Sequence, residues 1–410
     1  MVFFDNQIQK YVELFLKIGV NIQMGQILLI TAPITSVEIV RRISINAYKL
    51  GAKNVYVEWN DDELKRIKLL MESDETLNDY PLWRAKSFAD LAGDNAAFLN
   101  LISPNPYLLV DIDPKKVAIS NKAYQQAMKE FINYKRTDKI SWSNMLIPSK
   151  EWAHIIFPYL TGDEAVNKLW EYLFKITRID TKMPIDEWSS HLNNLTRIQN
   201  FLNERRYKKL TYKSPDTQLT VELPENHIWV SGGSTNEMGT FFIPNIPTEE
   251  VFTLPDKNGV NGFVRNTKPL CYSGFIIENF TLNFKNGKII DFKAEKGYEM
   301  LKELIETDEG AAHLGEVSLV AHDSPISKLN INFYNIGIDE NAASHVALGN
   351  AYPICLREGT NMTKEELEYH GANQSLIHID FMIGSSKMDV DGEVAGGRIE
   401  PIMRNGRWVI

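Results

Sequence analysis

His378 and Asp380 stand two residues apart in IHIDFMIG, a run whose other members are apolar or glycine. On a β-strand both side chains leave the same face, so an imidazole and a carboxylate could grip one metal ion. A direct histidine-aspartate hydrogen bond is the competing use of such a pair. The same third of the chain holds Glu250 in IPTEEVFTLP, Glu316 in AAHLGEVSLV, and Glu340 with His345 in DENAASHVALG. Carboxylates and imidazoles set among apolar or glycine neighbours cannot stay buried uncompensated, and together they point to a metal centre.

Each segment has an ordinary alternative. Glu249 and Glu250 point opposite ways in a period-two pattern, so at most one need enter the core; spacing leaves the choice open, and a solvated turn accounts for both. Glu316 follows Gly315 and precedes VSLV, which fits a charged strand edge as well as an inward ligand. His313, three residues earlier, reads equally as a surface residue. Read as a helix, DENAASHVALG separates Glu340 and His345 by about 140°, with Glu340 in the first turn and His345 in the next. A helix-capping glutamate and a hydrogen-bonded core histidine are the alternatives. Taken together, six side chains can surround two ions with one bridging carboxylate. Ions about 3.5 to 4 Å apart activate water and stabilise both the attacking and the developing oxygen. Mixed nitrogen and oxygen donors suit zinc, cobalt, manganese or magnesium. With no redox-cofactor motif present, hydrolysis fits this chemistry better than electron transfer.

The elements that must position these groups fall in two parts. Ile8, Tyr11, Val12 and Phe15 recur at helical spacing before Gly19, and QILLI at 26–30 reads as a buried strand. Thr35 with Glu38 fits a capping box ahead of Ile39, Val40, Ile43, Ala47 and Leu50, with Gly51 as the stop. Strands follow in NVYVEW at 54–59 and AAFLNLI at 96–102, with helical spacing around 115–134, 162–179 and 190–206. This order predicts a helix-covered, mainly parallel sheet. The charged passage 203–216 marks the boundary between an N-terminal α/β domain, 1–210, and a C-terminal domain, 211–410. There TQLTVEL at 217–223 and the stretches near 259–264 and 279–291 alternate, while SGGS, DKNG, KNGK and RNGRW supply turns. The second part therefore reads as an α+β metal-binding catalytic domain. Trp59, Trp170 and Trp229 read as packing groups.

At 410 residues the chain can hold two cores, and its 44% apolar content and net charge of -9 oppose a nucleic-acid partner. Two cysteines, Cys271 and Cys355, make neither a disulfide framework nor a thiolate zinc site. Charged residues interrupt the opening MVFFDNQIQKYVELFLKIGV, and no apolar stretch approaches the roughly 20 residues of a membrane span. A cytoplasmic, membrane-independent protein is the expectation.

In NIPTEEVFTLPDK, SGFIIENF with FKNGKIIDFKAEKG, TDEGAAHLGEVSLV, DENAASHVALGNAYP and IHIDFMIG, the chain resembles the M29 family of metallo-aminopeptidases over nearly its whole length. The resemblance implies a dinuclear centre held by Glu250 rather than Glu249, Glu316, Glu340, His345, His378 and Asp380. It further implies that Glu316 bridges two divalent ions and that Tyr352, in NAYP, is a catalytic-site residue. The implied activity is release of the N-terminal residue from short peptides with a free N-terminus, by a homodimer. A dinuclear hydrolase of another small amide or ester, and a silent metal-stabilised peptide-binding protein, are the competing readings.

Overall fold

The computed structural model describes residues 4–410. Its contacts gather into two compact units that interleave along the chain. The first contains the chain up to Leu108, Ala123–Asn193 and Gly233–Thr248; the second contains Leu109–Lys122, Asn194–Gly232 and Glu249–Ile410.

The first unit is built on four strands, β1 (Ile27–Pro33), β2 (Asn54–Asn60), β3 (Ala97–Ile102) and β4 (Trp142–Leu146). They pair in parallel in the order β2-β1-β3-β4. Leu28, Leu29 and Ile30 are all buried, as a parallel strand covered on both faces requires. The helix Val37–Lys49 supplies one cover by burying Ile39, Val40, Ile43 and Ala47. Its start differs from the capping box expected at Thr35. Ser36 is the N-cap, and its hydroxyl donates to the Pro33 carbonyl at 2.6 Å, because Ile34–Ser36 forms a tight 3-10 turn off the strand end. Strand β4 escaped the sequence reading because polar residues dilute its pattern. Those residues are used: the Asn100 amide donates to Asn144 at 3.2 Å, and Asn144 to Asn245 at 2.9 Å. Trp170 and Trp229 are buried as expected, but Trp59, on edge strand β2, is 40% exposed.

In the second unit, a nine-stranded antiparallel sheet that begins with Lys209–Ser214 and Thr217–Glu222 shares an apolar core with a five-stranded one. The smaller sheet carries the candidate site. Its strands are β5 (Val230–Ser231), β6 (Glu250–Thr253), β7 (Leu314–Val320), β8 (His345–Gly349) and β9 (His378–Met382), ordered β9-β8-β7-β6-β5 and antiparallel throughout.

Strand alternation divides this sheet into two chemically distinct faces. Val251, Val317, Leu319, Val346, Leu348, Ile379 and Phe381 all join the apolar core, and Phe381 meets Phe280 of the larger sheet at 5.2 Å between ring centroids. Within each strand, the immediate neighbours of these residues turn the other way. That second face carries Glu250, Glu316, Ser318, His345, His378 and Asp380.

A bulge in β7 makes the division workable. Leu314 pairs with Leu348 but Glu316 with Ala347, so Gly315 is an extra residue between them. Without it, Leu314 and Glu316 would point to the same face; with it, Leu314 reaches the core while Glu316 faces away. The position must be glycine, because a Cβ there would lie 2.3 Å from the Asn350 carbonyl oxygen and 2.4 Å from that of Gly349. Gly315→Ala is therefore expected to destabilise the chain by about 1–3 kcal/mol, read as a lower urea midpoint. Gly93→Ala, whose added methyl meets only the Tyr134 hydroxyl at 3.6 Å, is the control and should not lower it.

Candidate metal centre

Five of the six side chains come from neighbouring strands on one face, and strand pairing sets their spacing. Ala347, in the middle of β8, pairs with Glu316 on one side and Asp380 on the other, while Gly349 pairs with His378. These two small residues leave open space over the sheet centre, into which the longer side chains lean. The result is two triads that share one member. Glu250, Glu316 and His345 offer ligand atoms within 4.8 Å of one another, and so do Glu316, His378 and Asp380.

Glu316 is the hinge of the arrangement. Its Oε1 lies 3.4 Å from His345 Nε2, and its Oε2 lies 3.5 Å from His378 Nε2. On the flanks, His345 Nε2 is 3.0 Å from Glu250 Oε2, and His378 Nε2 is 3.6 Å from Asp380 Oδ1. Both imidazoles are held from behind. His345 Nδ1 meets the Glu340 carbonyl at 2.9 Å, and His378 Nδ1 meets the Asn350 carbonyl at 2.7 Å. A carbonyl can only accept, so each Nδ1 carries a proton and donates. In the neutral ring, each Nε2 then presents a lone pair to carboxylate oxygens. That contact is repulsive unless a proton or a cation lies between them, which is how ligating histidines are oriented by their outer partners.

Glu340 and His345 do not share the helix expected for them. The helix Ile336–Asp339 tightens into a 3-10 turn at Glu340–Ala342, Ala343 is extended, and His345 opens β8. The apolar run VALG wins as a central strand between β7 and β9, and the imidazole is tied back to the turn through the Glu340 carbonyl. Glu340 itself stands outside both tight triads. Its carboxyl is buried and is pushed well above the usual glutamate range by burial, then by the charges of Asp380 and Glu250. Asn341, fully buried, donates to Glu340 Oε1 at 3.4 Å and accepts the Glu249 backbone N–H at 2.7 Å.

His313 stays away from the cluster: it is buried, with Nδ1 meeting the Lys257 carbonyl at 3.1 Å. Tyr352 lies beside the cluster, its ring centroid 4.4 Å from that of His378 and 6.3 Å from that of Phe252. Ser318 is the neighbour the sequence reading passed over. It follows Glu316 by two residues and donates from Oγ to Glu250 Oε2 at 2.7 Å. The period-two rule applied to Glu316 would have found it.

Four carboxylates and two imidazoles buried together cannot balance their own charge. Burial opposes a charged His345, but hydrogen bonds to Glu250 and Glu316 and the charges of Glu250 and Asp380 outweigh it and hold this imidazole well above its ordinary pKa. His378 is raised in the same way against burial, by Tyr352, Asp380 and Glu316. Burial would raise Asp380, yet the charge of His378, with that of His345, brings it below the usual carboxylate range. Even so, Asp380 Oδ1 is buried with no hydrogen-bond partner among the described residues, the nearest imidazole nitrogens lying at 3.6 and 4.0 Å. An orphaned carboxylate oxygen beside two outward-facing Nε2 atoms is a donor set suited to divalent cations.

The fold and this donor set define a metal-dependent hydrolase, and comparison with known proteins narrows the class. The family model described as Thermophilic metalloprotease (M29) matches residues 4–408, and the chain belongs to that family. The protein is thus a metallopeptidase, which implies divalent metal ions. It is 49% identical over 404 residues to Aminopeptidase 2 of Geobacillus stearothermophilus, covering 98% of each chain. It is 48% identical over 405 residues to aminopeptidase AmpS of Bacillus subtilis, covering 99% of each. The solved structure of wild-type AmpT from Thermus thermophilus superposes with a TM-score of 0.92 at 38% identity, over 99% of this chain and 100% of that one. No helix among the described residues is long and apolar enough to cross a membrane.

The raised imidazoles give a pH signature. In the metal-free chain, their contribution to stability is complete below the ordinary histidine pKa of 6.5 and is lost as pH rises through the raised values. A cation must displace those protons. Titrating metal-free protein with zinc at pH 7 in weak buffer should therefore acidify the solution, and affinity should fall between pH 7 and pH 5. Uptake with no proton release would contradict this electrostatic picture.

Proposed function

We propose that this metallopeptidase is an aminopeptidase that removes the N-terminal residue of short peptides at a dinuclear centre. Glu250, Glu340 and His345 would hold one cation and His378 with Asp380 the other, with Glu316 shared between them. One observation supports this reading above all: the two oxygens of Glu316 face different histidines at nearly equal distances, 3.4 and 3.5 Å. A carboxylate serving a single ion has no need of that symmetry. The curated relatives of similar length are named as aminopeptidases, which supports a peptide with a free amine as the substrate.

Two divalent cations in such a donor set supply a polarised carbonyl and a water acidic enough to react at neutral pH. The protein's own groups do the rest. The substrate's free α-amine would bind an ion or a carboxylate of the cluster, which fixes the scissile bond one residue from the terminus. Tyr352, held against His378, would donate its phenolic hydrogen to the carbonyl oxygen as that oxygen gains charge. A carboxylate of the cluster would take the proton that water gives up and return it to the departing amine nitrogen. The apolar core behind the sheet keeps these groups from relaxing away from one another.

Metal-reconstituted protein given one short peptide in unblocked and N-acetylated forms should release the first residue from the unblocked form alone. Cleavage of both forms would instead favour a general amide hydrolase, and binding without cleavage a silent module. Tyr352→Phe should lower turnover by about 100-fold with metal content unchanged, the scale of losing one oxyanion donor. Unchanged turnover would remove Tyr352 from the chemistry.

A further inference from the structure

We infer that Ser318 is a positioning residue that sets the orientation of Glu250 for one of the two cations, an inference that rests on the dinuclear reading above. Ser318 is fully buried in the central strand β7 and lies on the same face as Glu316. It pairs with His345 on one side and with Phe252 on the other. Its hydroxyl therefore sits between the strand that supplies Glu250 and the strand that supplies His345. It donates to Glu250 Oε2 at 2.7 Å, the same oxygen that lies 3.0 Å from His345 Nε2.

The need for such a device follows from the side chain it holds. Glu250 is the second residue of an adjacent glutamate pair at the start of β6, and a glutamate has three rotatable bonds to fix before it can serve as a ligand. The backbone decides that Glu250 rather than Glu249 faces the cluster, since alternation sends the two apart. It does not decide where the carboxylate plane points. One hydrogen bond from a buried hydroxyl does, and it leaves the other lone pairs of the carboxylate open to a cation. Asp380 Oδ1, by contrast, has no hydrogen-bond partner among the described residues. Loss of the Ser318 hydroxyl should accordingly act on one side of Glu316 only.

The test is stepwise zinc binding to metal-free wild type, Ser318→Ala and Ser318→Thr, each competed against a chromogenic chelator and checked by circular dichroism for an unchanged fold. Wild type should bind in two steps. Ser318→Ala should weaken one step by about 10- to 100-fold, the usual cost of losing an outer partner of a ligand, and leave the other within about twofold. Ser318→Thr, which keeps the hydroxyl, should follow wild type. Equal weakening of both steps in Ser318→Ala, no weakening, or a threonine variant that behaves like alanine would each overturn the assignment, the last by tracing the effect to packing. Failure of wild type to take up two ions would instead sink the dinuclear reading itself.

Discussion

The second unit depends on a separation of charge from oil across one five-stranded sheet. Alternation sends Val251, Val317, Leu319, Val346, Leu348, Ile379 and Phe381 into a shared apolar core, and sends Glu250, Glu316, His345, His378 and Asp380 to the opposite face. The apolar side is worth on the order of 1.5–3 kcal/mol for each fully buried large aliphatic or aromatic side chain, which is the force that holds the strands in register. The charged side opposes it: a carboxylate or imidazolium removed from water costs several kcal/mol unless it is paired. The core thus holds together an arrangement that the charged face alone would drive apart. A cation bound among these groups would change the sign of that second contribution and would couple binding to folding in this unit.

Small residues make the arrangement geometrically feasible. Gly315 supplies the extra residue that turns Glu316 out of the core, Ala347 leaves room between Glu316 and Asp380, and Gly349 passes close under Ile377 at a positive φ of 98°. Each is an ordinary glycine or alanine in the sequence, and each acquires meaning only from its partner strands. The same holds for Ser318 and Asn341, whose polar atoms bind the Glu249–Glu250 segment, remote from both in sequence.

This explains which parts were legible in advance. His378 and Asp380 could be placed on one face because the period of a strand is local information, and the parallel sheet of the first unit could be read from the order of strand and helix patterns. The choice between Glu249 and Glu250 could not be made from spacing, because strand phase is set by the register against Val320 and Leu319 across the sheet. The segment around Glu340 and His345 carries alanines that suit a helix, and only its place between two other strands makes it the turn and central strand that it is. Strand β4 was hidden by polar residues whose role is to bond asparagines on neighbouring segments.

The most direct measurement of the central claim is anomalous diffraction from crystals of the zinc-loaded protein. A dinuclear centre should give two peaks per chain, about 3.5 to 4 Å apart, on either side of the Glu316 carboxylate. A single peak, or peaks that do not touch Glu316, would contradict it.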